Sequence, residues 1–153
     1  MSAYKQQEYD FIYRTKEILA QYETISFKSP KDKYEITLFL NCFVGLLILP
    51  QQYWFDELPT DLISEKEWGV NPNHISVISG TKNVKDVARH LRNSIAHNRF
   101  KVFSNSNDEL SQVKFNDRMG ENTTFEAVVP LKNLKLFVGK FSDYVMDGMV
   151  KSK

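Results

Sequence analysis

A chain of 153 residues, 42% hydrophobic and 25% charged, has the size of one ordinary domain and enough apolar residues to build a core, which excludes a disordered or low-complexity chain. One cysteine excludes an internal disulfide, and three histidines with no zinc-ligand spacing to it give no expectation of a metal or other cofactor. A net charge of +1 does not suggest a protein that coats nucleic acid through its bulk charge.

Residues 4–24 are predicted to be a helix, because Ile12, Thr15, Leu19 and Tyr22 recur at helical spacing, with Ser2 as its N-cap. Ser29-Pro30 marks a break. Residues 32–49 form a second helix, apolar on nearly all sides and therefore expected to be buried on most faces. Its apolar run, Ile36 to Leu49, is too short to span a bilayer. Thr37, Asn41 and Gly45 fall four apart on one line, a stripe that lets another helix approach. Asn41 is then a lone polar group in an apolar helix, in need of a hydrogen-bond partner.

Pro50, Pro59, Gly69, Pro72 and Gly80 cut the next stretch into short pieces, with helical turns expected around 52–58 and 60–67. Trp54 and Trp68 read as packing residues, and His74 is given no role. Residues 83–97 make the clearest amphipathic helix. Asn83 and Asp86 resemble a capping pair, and Val84, Val87, Ala88, Leu91 and Ile95 form one apolar stripe.

The period then switches to alternation. Phe100 and Val102, Val113 and Phe115, and Phe125 and Ala127 define strands of a short antiparallel hairpin or three-stranded meander, separated by turn-rich spacers at 105–108 and 118–122. Pro130 opens a last helix with Leu134, Phe137, Val138, Phe141, Tyr144 and Val145 on one face. The order predicts a mainly α fold, a helical bundle with a small antiparallel β-meander before the C-terminal helix. With no linker and no internal repeat, residues 1–153 read as a single domain. The polar N-terminus lacks a signal-peptide core, so the expected location is the cytoplasm, away from membranes.

Chemistry concentrates on the helix over 83–97. Lys82, Lys85, Arg89, Arg92, Arg99 and Lys101 face a single acid, Asp86, within that window, a charge pattern that suits a phosphate backbone or a solvated face. With Val84 at zero and about 100° per residue, the stripe centres near 0°, Arg92 falls near 80°, Arg89 near 140°, Asn93 near 180°, His97 near 220° and His90 near 240°. An amide, imidazoles and guanidinium groups are thus expected to point away from the core. Histidine moves protons near neutral pH and arginine holds phosphate bidentately, so Arg92, Asn93 and His97 suit metal-independent phosphodiester cleavage in RNA, with the 2′-OH attacking the adjacent phosphorus. Arg92 and His97 lie about 140° apart on an ideal helix, so a shared cleft between two copies of the helix, each giving a His and an Arg, fits better than one copy alone. The other reading makes His97 a helix cap and Arg92 a surface ion-pair partner.

Arg92-Asn93-Ser94-Ile95-Ala96-His97, ending an amphipathic helix with helices before and after it, resembles the motif of the HEPN superfamily (higher eukaryotes and prokaryotes nucleotide-binding), here with four residues between Arg and His. The resemblance covers most of residues 4–149 and looks like a compact bacterial or plasmid-borne branch. It implies a helical bundle that forms a homodimer through the motif helices, and a metal-independent endoribonuclease in a toxin–antitoxin, phage-defence or RNA-processing system, with RNA as substrate and an antitoxin protein as a further partner in the first of these. Carried over by position, Arg92 holds the scissile phosphate, His97 is the general acid or base, and Asn93 orients one or the other. Arg89, Arg99 and His90 are added as substrate-binding residues, and Asn41 as a weaker supporting partner. The alternative within the family is a non-catalytic dimer that binds RNA or a partner protein. One toxin branch is controlled by nucleotidylation of a Tyr two residues after the motif His; Arg99 stands there in this chain.

Overall fold

The computed structural model describes residues 6–29, 34–50, 52–106 and 110–152. Among these residues, six α-helices and one antiparallel sheet follow in the order α1 (Gln7–Glu23), α2 (Glu35–Ile48), α3 (Gln52–Asp56), α4 (Glu65–Trp68), β1 (Ile75–Ile78), α5 (Val84–Ala96), β2 (Phe100–Ser104), β3 (Leu110–Met119), β4 (Asn122–Pro130) and α6 (Leu131–Lys151). A 3-10 turn over Pro72–His74 leads into β1.

The predicted helices are present. Helix α1 starts after Gln6, so a capping role for Ser2 falls outside the described residues. At α5 the side chain of Asn83 accepts from the Asp86 N–H at 2.6 Å, as a capping residue does. Of the turn predicted at 60–67, only 65–68 is helical. Ser64 caps it at one end, and Gly69 ends it with φ at +79° while packed against α6. A side chain at Gly69 would meet Leu136 Cβ at 2.6 Å and the Asn133 carbonyl oxygen at 2.8 Å, so a close approach requires glycine here as well as the backbone twist.

The sheet is larger than the expected meander. Its order is β1-β4-β3-β2, with all pairs antiparallel. Strand β1 was not foreseen, because four residues between Pro72 and Gly80 show too short an alternation to stand out. It pairs Ile75 with Ala127 and Ile78 with Phe125.

One face of the sheet is covered. Val113, Phe115 and Asp117 of β3 and Phe125, Ala127 and Val129 of β4 are buried beneath α5, α6 and α2. Phe43 of α2 meets Phe115 edge-on at 6.1 Å, and Phe55 of α3 meets Phe141 of α6 at 5.3 Å. Trp68 joins the same core through Phe137. The other sheet face, with Lys101, Phe103, Lys114 and Arg118, is exposed.

Helix α2 departs from its expected environment. Phe39, Phe43, Leu46 and Leu47 are buried, but Thr37 and Asn41 are exposed. Asn41 is therefore not the buried polar group expected; among the described residues none hydrogen-bonds to its side chain. Gly45 alone serves the close approach, with Phe11 of α1 over it. Among the described residues no helix is long and apolar enough to cross a membrane.

Candidate active site at the C-terminal end of helix α5

Helix α5 buries its predicted stripe and more. His90 and Ser94 are also buried, at 5% and 0% exposure. The helix lies between α2 and α3 on one flank and β3 on the other, so its buried arc is wider than its apolar stripe. His90, expected on the outward polar face, is consequently an interior residue.

What draws it in is Asp117, itself 5% exposed on the covered face of β3. His90 Nδ1 lies 2.9 Å from Asp117 Oδ2, and Nε2 lies 3.1 Å from the Ser79 carbonyl oxygen. Both ring nitrogens thus lie within hydrogen-bond distance of an oxygen. The ring lies flat on Phe125, 5.0 Å between centroids and 2° from parallel. Asp117 also accepts from Asn93 Nδ2 at 3.2 Å and from the Arg118 N–H at 2.9 Å, and Arg99 Nη1 stands 4.0 Å away. A buried carboxylate is tolerable only with such a set of donors.

Asp117 is the residue that the sequence reading missed. The signal was there: it is in phase with Val113 and Phe115, so alternation points a carboxylate into the core.

The motif residues diverge in direction. Arg92 turns toward α3, where Nη1 donates to Gln52 Oε1 at 2.6 Å and the guanidinium sits 4.7 Å above the Phe55 ring. Asn93 turns toward β3 and Asp117. His97 is exposed and occupies the C-cap. Asn98 follows with φ at +53°, its N–H donating to the Ile95 carbonyl at 3.0 Å, while the Arg99 N–H reaches back to the Ser94 carbonyl at 2.6 Å. This pair of bonds is a Schellman ending with asparagine in the left-handed position. It fixes His97 at the lip of the helix and turns the chain directly into β2.

The other basic residues are largely engaged. Arg89 pairs with Asp86 at 3.2 Å. Lys82 donates to the carbonyls of Pro72 and Ile75, and Lys85 to that of Asp56. Arg99 donates to the Arg118 carbonyl at 3.3 Å. The window from 82 to 101 is therefore less free than its charge count suggests. Burial pushes the Cys42 thiol above its ordinary range, away from a nucleophilic thiolate. Among the described residues no group of three His, Cys, Asp or Glu side chains is arranged to hold a metal ion.

A mainly helical chain with a four-stranded antiparallel sheet, carrying Arg-Asn-x3-His at the end of an amphipathic helix, is of HEPN type. The family model described as HEPN pEK499 p136 matches residues 1–152, and the chain belongs to that family. No curated protein and no solved structure matches it.

Proposed function

We propose that this protein is a metal-independent endoribonuclease of the HEPN type, working in the cytoplasm as a homodimer through its α5 helices. In this reading residues 1–153 are one domain, and α1, α2, α5 and α6 form its HEPN-like helical bundle. The observation that carries it is the state of the motif: His97 is exposed at a capped helix end, with Asn93 anchored beside it to Asp117.

In such a dimer, one His97 takes the proton of the ribose 2′-OH, whose oxygen attacks the adjacent phosphorus. The bond from phosphorus to the 5′ oxygen breaks, and the other His97 protonates the leaving oxygen, giving a 2′,3′-cyclic phosphate. Arg92, released from Gln52, balances the charge that builds on the phosphate oxygens. Asn93 orients the site, and Arg89 and Arg99 add attraction for the backbone. His90 supports it from inside, through Asp117. The role is in a toxin–antitoxin, phage-defence or RNA-processing system of a plasmid-borne kind, an antitoxin being the protein partner in the first case.

A second reading has its own observation. Arg92 is held by Gln52 and Phe55 of its own chain, which suits a non-catalytic dimer that binds RNA or a partner protein.

The deciding experiment is cleavage of a mixed-sequence labelled RNA in EDTA by the wild type and by His97→Ala. Cleavage by the wild type alone, with cyclic phosphate ends, is expected. Equal cleavage by both, or none by either, refutes the nuclease reading. A solution mass near twice 17.9 kDa is expected beside it.

A further inference from the structure

The covered face of the sheet belongs to the core, but the opposite face has no element of this chain over it among the described residues. Its composition is unusual for a solvated surface. Lys101 of β2 stands directly across from Lys114 of β3, and like charges opposite one another in an antiparallel pair repel. Arg118 follows on the same face of β3, and Arg99 leads into β2. These four cations and Asn98 border a shallow groove of about 400 Å³, against one acid, Glu126. Among the described residues no ion pair engages Lys101, Lys114 or Arg118. Beside the groove Phe103 is 39% exposed on the face that carries Lys101.

The groove borders the chain just beyond the motif. Asn98, in its wall, is the residue after His97. A polyanion lying in it would relieve the Lys101–Lys114 repulsion, and at the Asn98 end it would be one residue along the chain from His97.

We infer that the open face of the sheet, through Arg99, Lys101, Lys114 and Arg118 with Phe103 as a stacking platform, is a binding track for single-stranded RNA that leads the strand to His97. The inference takes RNA as the ligand from the proposed function but does not need cleavage. Cations spaced along a strand pair hold successive phosphates, and an exposed ring beside them accepts an unstacked base of any identity. A base-paired helix cannot present a base face to Phe103, so the track favours single strands.

The test uses the full chain carrying His97→Ala, so that bound RNA stays intact, and a fluorescein-labelled, unstructured oligoribonucleotide of about 12 nucleotides. Anisotropy titrations across salt compare this parent with the same protein carrying Lys101→Gln and Lys114→Gln. The pair is expected to weaken binding about tenfold or more and to lower the salt slope by about 1.4, or about 0.7 for each cation. Phe103→Ala is expected to weaken binding about fivefold or more with the slope unchanged. Both lysines are exposed, so the double variant should melt no lower than the parent; a matched melting curve establishes that it is folded. Unchanged affinity and slope, or no RNA binding by the parent, overturns the inference. Cleavage separates the two proposals. In an active wild-type background the lysine pair should raise KM and leave kcat; an active enzyme indifferent to the pair sinks the track alone. Binding through the track by a protein that never cleaves sinks the nuclease reading alone.

Discussion

His90 and Asp117 form a buried pair, Nδ1 to Oδ2 at 2.9 Å, that joins the motif helix to the middle strand pair of the sheet. Removing one member of a buried pair leaves the other without compensation, which costs about 3–5 kcal/mol. Asp117→Ala is expected to destabilise by that order in urea unfolding, and to free Asn93 as well. A loss below about 1 kcal/mol would mean that the pair does not hold the two elements together.

His97 makes the opposite prediction. It is exposed and its cap bonds are made by backbone, so His97→Ala should change stability by no more than about 0.5 kcal/mol. A melting transition well below that of the wild type would mark His97 as a structural residue and weaken any catalytic assignment drawn from its loss.

Asn98 should respond to backbone shape alone. Its φ of +53° suits glycine and strains a β-branched residue. Asn98→Gly is expected to leave stability equal or higher, and Asn98→Val to cost about 1–2 kcal/mol. The urea midpoint, with the slope unchanged, is the quantity to compare.

Glu65 should contribute a pH-dependent part of the stability. Hydrogen bonds from the Asn71 and Asn133 side chains, at 3.1 and 2.9 Å, hold its carboxyl below the ordinary value of 4.5, with His74 and Lys132 adding smaller attractions. A depressed carboxyl contributes stability above its unfolded pKa and loses it as pH falls through the folded one. Wild type should therefore melt above Glu65→Gln at neutral pH, and the gap should narrow below about pH 4. A gap that stays constant down to acid would assign the effect to packing.

Much of this architecture was legible because it rests on local rules. The stripe from Val84 to Ile95, the Asn83 cap and the Pro130 helix start each follow from spacing or from a single residue's preference. Strand β1 was hidden because its partner lies about fifty residues away, and short-range patterning carries no record of a distant strand. His90 was misread for a related reason. Its angle on a wheel is outward with respect to the apolar stripe, but a carboxylate on β3 makes that direction an interior one. Asn41 failed the other way, since hydrophobic neighbours along α2 do not tell which side has nothing packed on it. The HEPN assignment did not depend on those facings: the family model matches residues 1–152, a pattern along the whole chain that holds whichever way one side chain turns.

Arg92 and Asn93 are adjacent in the chain yet are moored to opposite sides of the protein, one to Gln52 and the other to Asp117. A roll of α5 about its own axis in either direction would slacken one mooring while straining the other. The two bonds together set the azimuth of the helix, and with it the direction in which the exposed His97 faces. An Arg92 that leaves Gln52 for a phosphate would give up one of the two, leaving Asn93 and the backbone bonds of the cap to hold the setting of the helix.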